Sequence, residues 1–327
     1  MTLGAKESLQ RCRRNLPVFL ELLIFLLVSA VASVPQSIIS SFAITFLMLF
    51  DPSFYKMIEQ GNFDNGTIET YTANLIESIP SYVYALLLFS AGFMIVAAIL
   101  YCHLFEKRKP YTLGFTKRGC ISEYLLGLLI GLGMIIAPVL ACKLTGCIDI
   151  AMSASVKPFM ILAFFIAFLF QGMGEEALFR GYLMTSLARK THVWIAVVIN
   201  SLMFSLFHLN NASFSLIAFI NIFLFGLFAS IFMLKRGSIW AVGAIHAIWN
   251  FTQGNLFGFN VSGNPKFDSV MEVTQKNYGA ILHGGDFGPE GGLAVTVILL
   301  IMIAVALAIP TKKSERVETS KHEENNG

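Results

Sequence analysis

Long unbroken apolar runs alternate with short polar or charged interruptions along almost the whole chain. Taking about 20 apolar residues to cross a bilayer core of about 30 Å, this pattern places eight transmembrane segments. They lie near 16–50, 81–105, 123–142, 158–187, 193–209, 214–234, 239–258 and 291–310. In lipid each backbone polar group must be satisfied within its own segment, so a spanning piece is a helix or part of a closed barrel. Barrel strands alternate in short stretches, whereas these runs are continuous, so an all-α polytopic membrane protein is expected. The first run is long enough to be bent at Pro35. No repeat of fixed period is visible, which weakens an inverted-repeat transporter architecture.

Composition agrees. Hydrophobic residues make up 56% and charged residues 13% of 327, with a mean hydropathy of +0.70, against roughly 45–50% apolar and about 25% charged in soluble domains. The net charge of +3 gives no reason to expect nucleic acid as a partner; membrane lipid is the expected solvent. The position of the charges says more than their sum, because short cytoplasmic loops carry excess Lys and Arg. With the N-terminus inside, seventeen basic residues fall on the inner segments and five (Lys56, Lys143, Lys157, Lys266, Lys276) on the outer ones. A multi-pass protein of the cell membrane with both termini cytoplasmic is therefore expected. The basic stretch Arg11, Arg13, Arg14 precedes an apolar run too long for a cleavable signal, so the first span is expected to be retained.

The outer loops, about 51–80 and 259–290, carry an acidic excess and are positioned to shape access to a site. The organisation expected is N-terminal helices and loops over 1–157, a central core over 158–258, an outer loop and last helix over 259–310, and a disordered cytoplasmic tail over 311–327. Five cysteines (Cys12, Cys102, Cys120, Cys142, Cys147) form no CxxC pair. Cys142 and Cys147 either pair in an oxidising outer compartment or are small residues at a helix end.

A charge at the bilayer centre costs roughly 2.5–3.5 kcal/mol on insertion scales, so ionisable residues inside spans point to function. They concentrate in three stretches. The fourth run places Glu175 and Glu176 in apolar surroundings, with Arg180 four residues after Glu176 on one helical face. Glu175 lies about 100° around the helix, free to face a cavity. Two adjacent glutamates with one arginine suit one structural and one general-base carboxylate; an ion-pair cluster holding helices together is the lesser alternative when they are taken alone. The fifth run pairs Phe204 with His208 and the seventh pairs His246 with Asn250, each at i,i+4. Two histidines, an asparagine and an unpaired glutamate on separate helices form a convergent polar set that packing does not require. Glu21, Glu123 and His103 sit near span ends and His192 in an inner loop. Gln171, Asn200 and Asn221 read as interhelical hydrogen-bonders.

At these residues the chain resembles the CPBP family, which groups type II CAAX prenyl endopeptidases with bacteriocin-processing and immunity proteins of the Abi type. The resemblance rests on EExxxR from Glu175 to Arg180, FxxxH from Phe204 to His208 and HxxxN from His246 to Asn250, intact and in order over about 158–258. It implies a helical-bundle intramembrane protease that cleaves a membrane-associated peptide or protein, such as a CAAX-like prenylated C-terminus or a bacteriocin precursor. In that resemblance Glu175 activates water, His208 helps hold the water, His246 and Asn250 stabilise the oxyanion, and Glu176, Arg180 and Phe204 support them. Family members are commonly called metalloproteases, and Glu175, His208 and His246 suit Zn2+ with an open fourth position. HExxH is absent, and a metal-independent glutamate mechanism is preferred. The alternatives are a non-enzymatic immunity or scaffold protein retaining the site and, further behind, a proton-coupled transporter.

Overall fold

The computed structural model describes residues 16–61, 64–77 and 79–312. Arg11, Cys12, Arg13, Arg14 and the tail from residue 313 lie outside them. All eight apolar runs are helical, and the chain is an integral membrane protein. Helix α1 (Val18–Phe50) is followed by two short helices, α2 (Pro52–Gln60) and α3 (Asn65–Glu77), and by the consecutive pair α4 (Ser81–Ser90) and α5 (Phe93–Leu104). Then come α6 (Cys120–Leu144), strand β1 (Ile148–Met152), α7 (Pro158–Glu176), α8 (Val193–Leu206), α9 (Leu216–Arg236), α10 (Trp240–Phe251), strand β2 (Met271–Gln275) and α11 (Leu293–Ala308).

Among the described residues five helical stretches are long and apolar enough to cross a membrane: Val18–Phe50, Ser81–Leu104, Cys120–Leu144, Pro158–Ala188 and Leu216–Arg236. The other three expected spans are shorter. Helix α8 has 14 residues and α11 has 16, about 21 and 24 Å at 1.5 Å per residue. Helix α10 has 12 and is buried nearly all round, from Ala241 to Asn250. Its apolarity therefore reflects protein surroundings rather than lipid. Helix α1 runs unbroken through Pro35, but its buried residues stop at Ala32, so only its first half packs on the bundle.

One end of the bundle is stapled by ion pairs. Glu21 accepts from Lys190 at 2.5 Å, Glu106 pairs with Arg108 at 2.7 Å and Arg189 at 3.4 Å, and Glu123 pairs with Arg236 at 2.6 Å and Lys312 at 3.0 Å. Glu21 and Glu123, near span ends in the sequence, are thus buried and paired with cations. The opposite end is closed by loops. There β1 and β2, which lie between expected spans, pair antiparallel with Ile150 opposite Val273. Cys142 and Cys147 are free thiols. The Cys147 thiol donates to the Cys142 carbonyl at 3.2 Å, and both pack with Ile148 and Val273.

Helix α10 carries two of the candidate residues, and small side chains fix its place. On α6, Gly127 and Gly131 face Ala241, Ala244 and Ile245; on α7, Gly172 faces Ala247. A Cβ at Gly131 would stand 2.6 Å from the Ile245 carbonyl oxygen, and one at Gly172 would stand 2.6 Å from the Ala247 nitrogen. This is the small-xxx-small approach of membrane helices, in which backbones come close because lipid supplies no hydrophobic drive.

Two predictions follow from these contacts. Gly131→Leu forces α10 away from α6 and should destabilise the protein by about 1–3 kcal/mol, seen as a lower unfolding midpoint in detergent; an unchanged midpoint would mean the approach is not tight. At the clasp, hydrogen bonds from Lys276 (2.9 Å) and Lys143 (3.0 Å) hold the Asp149 carboxyl below its ordinary range. A depressed carboxylate contributes above its unfolded value and loses that contribution as pH falls through the folded one. Amide exchange in 148–152 and 271–275, corrected for intrinsic rate, should therefore rise only below about pH 4. Flat exchange through that range would remove Asp149 from the clasp.

Candidate active site

Glu175 and Glu176 occupy the last turn of α7, where the backbone changes character. From Ala177 to Met184 it widens into a π-helix, and α-helix resumes only at Thr185–Ala188. Helix α10 does the same immediately after Asn250, with π turns over Thr252–Leu256. The sequence periodicity predicts plain α-helix at both places. Such insertions are frequent at functional sites, and here both adjoin a motif.

At the centre lies a buried charge cluster. Arg180 Nη1 donates to Glu176 Oε1 at 3.0 Å, and His246 Nδ1 meets the same oxygen at 2.9 Å. Glu176 and Arg180 have no solvent exposure. The Arg180 guanidinium sits 4.2 Å from the centroid of the Phe204 ring, an aromatic face that attracts cations. That ring also lies 5.0 Å from the ring of His208 and, edge-on, 5.9 Å from that of His246. Phe204 is therefore the common neighbour of Arg180 and both histidines, which accounts for an aromatic residue at the head of FxxxH.

An ionised carboxylate can only accept, so the imidazole of His246 carries its proton on Nδ1. Its Nε2 then faces Glu175 Oε2 at 3.8 Å, beyond direct hydrogen-bond range. Glu175 Oε2 is buried and has no hydrogen-bond partner. The other oxygen, Oε1, accepts from Gln171 Nε2 at 2.5 Å, while Gln171 Oε1 accepts from Asn250 Nδ2 at 3.0 Å. Gln171 thus joins Glu175 to Asn250 across two helices. The sequence marked Gln171 only as an interhelical hydrogen-bonder; its spacing, one turn before Glu175, was the signal for more.

His208 does not share a helix with Phe204, because α8 ends at Leu206 and His208 lies in the following turn. The pair still meets, with His208 Nδ1 2.8 Å from the Phe204 carbonyl oxygen. His208 lines a narrow cavity of about 20 Å³ together with Phe204, His246, Asn250, Trp249, Ser262 and Glu290. The free interior has room for little more than a water molecule. Glu175 is not on that lining and adjoins it through His246 and Asn250. The structure therefore brings Glu175, Glu176, Arg180, His246 and Asn250 into one network, and places His208 on the cavity that His246 and Asn250 also line.

Among the described residues no three His, Cys, Asp or Glu side chains are grouped to hold a metal ion. His246 turns Nδ1 to Glu176 and keeps Nε2 open.

Among curated proteins there is no match to the chain. Residues 157–252 match the model of the type II CAAX prenyl endopeptidase Rce1-like family. That segment runs from the start of α7 to the π turns after α10 and contains Glu175, Glu176, Arg180, Phe204, His208, His246 and Asn250. The three motifs that meet around the buried cluster all lie inside this match, and residues 157–252 are similar to the Rce1-like type II CAAX prenyl endopeptidase family.

Proposed function

We propose that this protein is an intramembrane endopeptidase that hydrolyses a peptide bond of a membrane-associated substrate, with Glu175 as general base. The observation that carries the reading is the approach of Glu175 Oε2 and His246 Nε2, which face each other across 3.8 Å in a buried site of the segment similar to the Rce1-like family. With the imidazole neutral and its proton on Nδ1, both atoms are acceptors and suit one water that donates a hydrogen to each.

The remaining steps use groups already in place. Glu175 removes a proton from the water as the oxygen attacks the scissile carbonyl carbon. The second amide hydrogen of Asn250, whose first is donated to Gln171, is the donor available to the developing oxyanion. Glu175 returns the proton to the amine nitrogen as the carbon–nitrogen bond breaks. Glu176 and Arg180 hold the His246 ring so that Nε2 points at the water. In this scheme His246 rather than His208 is the water's second partner. His208 shares its Nδ1 with the Phe204 carbonyl and offers Nε2 to the cavity, where the substrate backbone would lie. The substrate class we favour is a peptide delivered at the membrane, a CAAX-like prenylated C-terminus or a bacteriocin-type precursor.

Replacing the base is the direct test. A folded, inserted Glu175→Ala form should lose about 10²-fold or more of its turnover, and its uncleaved precursors should accumulate in cells and be recoverable by pull-down. Full processing by that variant would refute the mechanism. With a substrate so identified, Gln171→Leu should lower kcat roughly tenfold, the value of one charge-assisted hydrogen bond, with KM little changed. A change confined to KM would make Gln171 a substrate contact instead.

A further inference from the structure

Outside the matched segment, the loop between β2 and α11 brings one more carboxylate to the cavity. Glu290 lies in a single turn, Pro289–Gly291, and its side chain faces the space that His208, His246 and Asn250 also line. Its position is fixed from three sides. Trp249 Nε1 donates to Oε1 at 3.2 Å, Ser262 Oγ donates to Oε2 at 2.6 Å, and Asn221 Nδ2 donates to the Glu290 backbone oxygen at 2.7 Å. Trp249 adjoins Asn250 in sequence, so this carboxylate is tied to the helix that carries the candidate oxyanion donor.

Both side-chain donors are neutral. Among the described residues Glu290 has no ion pair, in contrast to Glu21, Glu106, Glu123 and Glu176, which all have cationic partners. A carboxylate at the edge of a membrane core without a counter-ion is costly and is kept where it has work to do. Each of its oxygens has a second lone pair, left over after Trp249 and Ser262. The loops at this end of the bundle carry the acidic excess, while the basic residues gather at the other end. A cationic peptide is drawn to such a face.

We propose that Glu290 is a specificity-determining residue that receives a Lys or Arg side chain of the substrate near the scissile bond. This rests on the proteolytic reading above. The test uses the full chain in detergent with a proteome-derived peptide library cut at glutamate, which leaves Lys and Arg inside the peptides. Cleavage products from the unmodified protein should show Lys or Arg enriched at a fixed distance from the cut. Glu290→Gln should reduce that enrichment roughly ten- to a hundredfold, and Glu290→Lys should turn it toward Asp and Glu. Ser262→Ala, which removes a loop hydrogen bond but keeps the charge, should preserve the basic preference; its loss there would make the loop, not the carboxylate, responsible and overturn the assignment. Cleavage without basic preference, or a preference that survives Glu290→Gln, also overturns it while leaving proteolysis standing. Peptides retained by the Glu175→Ala form report binding without turnover. No cleavage by the unmodified protein, but Glu290-dependent retention of basic peptides, would sink the protease and support the Glu290 site. Neither cleavage nor such retention would sink both.

Discussion

One oxygen atom organises the site. Glu176 Oε1 accepts from both Arg180 and His246 at the centre of a bundle where neither water nor lipid can take the place of either donor. Removing one member of a buried ion pair typically costs about 3–5 kcal/mol, because the charge left behind stays unpaired. Arg180 makes the dependence acute: its Nε and Nη2 have no hydrogen-bond partner, and the face of Phe204 is the compensation it has. Phe204, Glu176 and Arg180 therefore act as a unit, each tolerable in the membrane because of the other two.

That unit decides what the neighbouring groups can do. With Nδ1 committed to Glu176, His246 can offer only Nε2 to the chemistry, and it offers it in one direction. Glu175, one residue along and about 100° around the helix, escapes the Arg180 pairing and is instead held by the neutral amide of Gln171. Two chemically identical side chains thus acquire different surroundings. One is paired with Arg180; the other keeps an unsatisfied oxygen facing an imidazole.

Much of this was legible in the sequence, because membranes make exceptions conspicuous. Every apolar run is a helix, and the polar residues that interrupt the central runs are the ones that meet. The failures have physical causes. The run around α10 resembles a lipid-facing span, since apolar protein and apolar lipid select the same side chains. The π-helix at Ala177–Met184 leaves no mark on composition, and the i,i+4 pairing of Glu176 and Arg180 survives it. The strands Ile148–Met152 and Met271–Gln275 are five residues each and pair over more than a hundred positions, beyond any local pattern. Gln171 reads only as an interhelical hydrogen-bonder and Glu290 only as part of the loops' acidic excess, because a lone amide in a span and a lone acid in a loop are ordinary until partners are known.

The two ends of the bundle are held by interactions of different strength, and this bears on how a peptide could enter. The cavity holds little more than a water, so a substrate backbone must displace something. At one end the candidates are buried ion pairs, Glu21 with Lys190 and Glu123 with Arg236, costly to break. At the other end the closing contacts are mostly neutral: Asn211 to the Ser262 carbonyl at 2.7 Å, Gln253 to the Asn260 carbonyl at 2.8 Å, Asn255 to the Asp268 carbonyl at 2.7 Å. Each such bond contributes about 0.5–1.5 kcal/mol net and can be replaced by a bond to the substrate backbone. The Glu176 cluster anchors α7 to α10 below, and the exchangeable contacts lie above, around Ser262 and Glu290. On the proposed proteolytic reading, opening the loop end would leave the Glu175–His246 geometry intact, whereas opening the stapled end would dismantle the packing that fixes it.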